Sequence, residues 1–134
     1  MQFSFIFPRA IGYAAWLTIW SLTLYYSRIT GNTTLITILG FAVLFLMYFY
    51  LKWCISAIDA DKTTNPRDVT NSGLFIAAIG CALSSTAMWF INQKMGFNSN
   101  SLFECSRAIA FHAVIGGVMS HYIGRSLKVK ERDA

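Results

Sequence analysis

The sequence predicts an all-α integral membrane protein of four transmembrane helices in two antiparallel hairpins, and three observations predict it. Of its 134 residues 55% are hydrophobic and only 13% charged, about half the charged share of a soluble domain. Mean hydropathy is +0.49. The apolar residues gather into four stretches of roughly 18 to 25 residues, each long enough at ~1.5 Å of rise per residue to cross a ~30 Å hydrocarbon core as a helix. None shows the alternation over ~10 residues that a barrel strand requires, and a helix satisfies its own backbone in lipid. Three cysteines and two prolines also exclude a disulfide scaffold, a collagen-like repeat and a disordered chain.

Each span has its own start and stop. The first, 10–27, follows Pro8-Arg9, a proline placed as in a helix's first turn, and leaves through Arg28-Ile29-Thr30-Gly31-Asn32. The second, 35–58, is the most aromatic, with Phe41, Phe45, Tyr48, Phe49, Tyr50 and Trp53. A polar connection, 59–72, contains Asn65-Pro66 and ends in the helix-starting cluster Thr70-Asn71-Ser72. The third span is 73–92, closed by Gln93-Lys94-Met95-Gly96, and the fourth is 102–124, followed by a charged tail, 125–134. All 134 residues form one domain.

Basic residues set the orientation. Arg9, Lys52, Lys62, Arg67, Arg125, Lys128, Lys130 and Arg132 fall on one side, Arg28 and Lys94 on the other, which puts both termini and the 59–72 loop in the cytoplasm of an inner membrane. The uncharged leader Met1–Phe7, with no small-x-small cleavage site at the expected distance, predicts that the first span is retained. The two halves share only a vague pattern, so no repeat is inferred.

Ionisable residues inside spans are costly and therefore informative. Glu104 and Arg107 lie three apart near the outer end of the fourth span, where they can pair and the arginine can reach the interface. Trp89, Asn92 and Gln93 of the third span are expected at the same level, offering Arg107 a cation–π contact or, with a lipid head group or partner, a binding site. His112 sits near the middle of the fourth span. His121, nine residues on, faces the opposite way, so the two cannot clamp one haem in one chain. The plain expectation is a neutral imidazole bonded to Thr18, Ser84, Ser85 or Thr86, with a haem or quinone as the alternative.

Small residues line the third span at Gly73, Ala77, Ala78, Gly80, Ala82 and Ser84, and the fourth at Ala113, Gly116, Gly117, Ser120 and Gly124. Backbones can approach closely there, so spans three and four are expected to pack together, and Gly116, Gly117 and Ser120 also qualify as partner contacts. Cys54, Cys81 and Cys105 lie at three different depths without a C-x-x-C. No hydrolase elbow, zinc-helix motif or phosphate loop occurs. Asp59, Asp61 and Asp68 mix with Lys62 and Arg67 in the connection, a solvated arrangement, and the tail's basic residues are accounted for by topology and an anionic leaflet, without nucleic acid.

These features predict a non-enzymatic inner-membrane protein, without a metal or bound cofactor. It would work through helix contacts in the bilayer, with other membrane subunits or with copies of itself, as part of a larger complex or as an immunity- or exclusion-type blocker. An oligomeric pore or holin-like protein is the first alternative, weakened because no helix carries a sustained polar stripe. A haem- or quinone-binding anchor using His112 is the second.

Overall fold

The computed structural model describes residues 3–59, 66–95 and 102–133, and all of them are helical or in one tight turn. Four helices follow one another: α1 (Phe3–Ile29), α2 (Thr33–Asp59), α3 (Pro66–Met95) and α4 (Leu102–Asp133). Two of them, over Thr33–Ala57 and Arg67–Lys94, are long and apolar enough to cross a membrane.

The α1–α2 turn shows how the sequence ends one helix and starts the next within three residues. Gly31 adopts φ 68°, a conformation that side chains with a Cβ resist. The Gly31 amide donates to the Arg28 carbonyl and the Asn32 amide to the Ser27 carbonyl, at 3.3 and 3.0 Å, the paired bonds of a glycine-terminated helix. Asn32 then caps α2, its Oδ1 accepting from the Leu35 amide at 3.1 Å.

Three boundaries differ from the sequence expectation. Helix α1 begins at Phe3, so Pro8 lies inside it; the Arg9 guanidinium reaches back to the Phe5 carbonyl at 3.1 Å and covers the Phe5 ring. Helix α3 begins at Pro66 rather than after Ser72, because proline suits the first helical position and Asp68 in the first turn complements the helix dipole. Thr70, Asn71 and Ser72 are thus helix interior, and the connection shrinks to 60–65. Asp61 and Lys62 of that connection lie outside the described residues. The segment 125–133 continues α4 instead of leaving it as a tail, since nothing after Gly124 breaks a helix and its lysines, arginines and glutamate are good helix formers.

Helix α3 packs most extensively on α4 and next on α1. Among the described residues, the order around the bundle is α1, α3, α4, α2, with α1 and α4 on one diagonal. The α3/α4 pair is antiparallel in a fixed register: Gly73 faces Ser120 and the Gly116 backbone, Gly116 faces Ala77, and Gly124 faces Val69. A Cβ on Gly73 would run into the Ser120 side chain and come within 3.1 Å of the Gly116 carbonyl oxygen. The expectation that the two small-residue surfaces meet is thus realised, and Gly116, Gly117 and Ser120 are buried in the chain's own seam. Helices α1 and α3 run parallel, tied by Thr18 and Ser84 hydroxyls 3.0 Å apart. Helix α2 is held to α1 by Tyr50 Oη donating to the Arg9 carbonyl at 2.5 Å and Trp20 Nε1 donating to the Leu39 carbonyl at 2.9 Å.

The bundle's two ends are packed differently. We call lower the end formed by the start of α1, the end of α2, the start of α3 and the end of α4. Tyr13, Met47, Leu51, Cys54, Ile55 and Ile76, all fully buried, lie in the lower half, with Ile6, Val69 and Ile123 beside them. In the upper half the buried residues include the polar Ser27, Ser84 and Asn92 beside Leu17 and Cys81.

Candidate functional site

His112 and Tyr13 meet at the boundary between the halves. Tyr13 lies on the buried stripe of α1, Ile6, Ala10, Tyr13 and Leu17, whose spacing of three and four keeps it on the inward face. Its hydroxyl is 2.6 Å from His112 Nδ1, and the two rings stand edge to face. The bond spans the α1–α4 diagonal, where the backbones do not touch; only two long side chains can close that distance. The expected partners, Thr18, Ser84, Ser85 and Thr86, bond elsewhere: Thr18 and Ser84 bind each other, Ser85 bonds to the Cys81 thiol, and Thr86 back-bonds to the Ala82 carbonyl. Gly80 makes room for the pair, because the Tyr13 ring lies against it where any Cβ would stand.

Above this pair the bundle is hollow. A cavity of about 270 Å³ lies between α1, α3 and α4 and reaches from His112 to Arg28. Each wall is a single helix face. Ser21, Tyr25 and Arg28 come from α1, Ser84, Ser85 and Asn92 from α3, and Cys105 and Ala108 from α4. From Leu17 to Arg28 the lining spans eleven residues, or ~16 Å of helix axis. Asn92 is 8% exposed and its Oδ1 has no hydrogen-bond partner. Buried oxygens of that kind are uncommon in native folds and call for an explanation.

A second, more open cavity of about 630 Å³ lies between α2 and α4 and is bordered by Val43, Glu104, Arg107 and Phe111. Trp20, Ala108 and His112 line both, so the indole pinned to α2 by its bond to Leu39 is the partition between them. Glu104 and Arg107 therefore border one cavity, while Trp89 lines the other. His121 lies near the lower end, 3.5 Å from the Thr70 hydroxyl and well away from His112. Cys81 and Cys105 line the upper cavity; Cys54 belongs to the lower core.

Sequence reasoning singled out His112, Glu104, Arg107 and Trp89, with Gly116, Gly117 and Ser120 as contacts, but not Tyr13, Trp20, Tyr25 or Arg28 as site residues. A signal for the cavity exists in α3, where Cys81, Ser84, Ser85, Met88, Trp89 and Asn92 recur at helical spacing on one face. This stripe covers only about half of α3, so a search for a polar face along a whole span passes it by. No protein-family model, no curated protein and no solved structure matches the chain.

Proposed function

We propose that the chain is a four-span inner-membrane protein with both helix-bundle ends of the lower side in the cytoplasm, and that it works through helix contacts rather than catalysis, as a small subunit or blocker of a larger membrane assembly. One observation carries the membrane reading: polarity is inverted. Large apolar side chains are exposed on every helix, among them Ile11, Ile19, Phe41, Phe45, Phe75, Phe90, Phe111 and Val118, whereas Ser27, Ser72, Ser84, Asn92, His112 and Ser120 are buried. A soluble domain does not expose apolar surface on that scale, and lipid is the solvent that favours it. The excess of basic residues at the lower end supports the reading that this end faces the cytoplasm.

The contact role is supported by α2, the helix least engaged with the rest. Its Phe41, Phe45, Phe49 and Trp53 form a stripe at spacing four, each more than 60% exposed. A pore through one chain is disfavoured by the dense lower half. The test is purification in mild detergent with mass spectrometry of what accompanies the protein and an absorption spectrum of the same sample. A stoichiometric partner lost on replacing Phe45 and Phe49 with alanine is the expected result. A lone monomer, or a Soret band, would contradict the reading.

A further inference from the structure

We infer that the upper cavity is an aqueous vestibule that makes His112 a proton-binding site addressed from the outer face alone; the inference rests on the four-span reading. The cavity meets the conditions for holding water. Its ~270 Å³ accommodates about nine waters at ~30 Å³ each, and its walls supply Ser21, Ser85, Tyr25, Asn92 and Arg28 as partners. The unpartnered Asn92 Oδ1 gains a donor if water is there and has none if the space is dry. Hydrocarbon would fill the same slot at the expense of every one of these groups.

The floor is closed. Tyr13 is fully buried, and Met47, Leu51, Cys54 and Ile76 pack beneath it without exposure, so the water column ends at the imidazole. Tyr13 occupies Nδ1, and Nε2 is the nitrogen the ring offers to the cavity. The other ionisable groups around it are the hydroxyl of Tyr13 from α1, with Tyr50 of α2 stacked edge-on behind it, the Cys81 thiol from α3, and Cys105, Glu104 and Arg107 on its own helix; Arg28 stands at the rim. A charge gained there is solvated by vestibule water and Tyr13.

The proton comes from hydronium or a buffer acid of the outer compartment, and its conjugate base returns there. The proton adds to the Nε2 lone pair of the neutral tautomer whose Nδ1–H donates to the Tyr13 oxygen. In the imidazolium both nitrogens are donors, Nδ1–H keeping its bond to Tyr13 and Nε2–H donating to water.

The test uses the full chain, with His121→Asn and ¹³C-labelled histidine, in vesicles captured in one orientation through the C-terminal end. The imidazole signal of His112 is followed while pH is varied on one side and clamped on the other. The expected result is a titration with outer pH and none with inner pH; a signal that follows inner pH, both sides or neither overturns the inference. Ser85→Trp, which fills the vestibule from a wall position, should abolish the outer-side titration in protein that still unfolds cooperatively, and an unchanged titration would refute the route. Single cysteines at Asn32 and Ser126, in a chain with the native cysteines changed to alanine, report sidedness to an impermeant thiol reagent. Labelling from the same side removes the four-span reading and this inference with it, whereas opposite sides with a silent His112 overturn this inference alone.

Discussion

The lower half of the bundle and the upper half are made by the same four helices, yet one is closed by contact between backbones and the other encloses a cavity. Below His112, glycines at 73, 116 and 124 bring α3 against α4, and Met47, Leu51, Ile55 and Ile76 fill the remaining space. Above it, serines and Asn92 line a gap with Trp20 at its edge. Packing is thus set residue by residue along the axis, and small residues at a crossing allow close approach.

The largest effect is expected in the closed half. Gly73→Val places a branched side chain against Ser120 and the Gly116 backbone, and it should lower stability by about 3 kcal/mol in a detergent unfolding titration. A loss as small as that of an upper-wall substitution would erase the distinction between the halves. Next comes the boundary. Tyr13→Phe removes the hydroxyl from His112 Nδ1 and should cost about 1.5 kcal/mol. A double-mutant cycle with His112→Gln checks that the cost is shared, since additive losses would mean that the two groups do not act as a pair.

Smaller effects are expected above. Thr18→Val breaks the hydroxyl pair with Ser84 and should cost about 0.6 kcal/mol, the usual worth of a hydrogen bond between membrane helices. Ser85→Leu, on the cavity wall, should change stability by no more than about 0.5 kcal/mol. A loss comparable to that of Gly73→Val would show that the upper half is as tightly packed as the lower.

The helices and their pairing could be read in the sequence, because uninterrupted apolar runs, the Gly31-Asn32 turn and matched small residues on α3 and α4 are local or simply periodic signals. Pro66 was ambiguous for a physical reason: proline ends one helix as readily as it begins another, and the polar Thr70-Asn71-Ser72 competes with it as a start. His112 was visible as a polar residue at mid-span. Its partner was not, because Tyr13 reaches it across a diagonal that exists only once the helices are ordered α1, α3, α4, α2. The cavity was hidden for the same reason, since three half-length stripes on separate helices become one site only when they face each other.

Helix α3 passes through both halves, so it offers the most direct test of their difference. Backbone hydrogen exchange of the protein in lipid nanodiscs should run about tenfold faster over residues 82–92, which border the cavity, than over 69–80, which face the α4 seam. Equal protection along the helix, or faster exchange in the lower segment, would contradict the account.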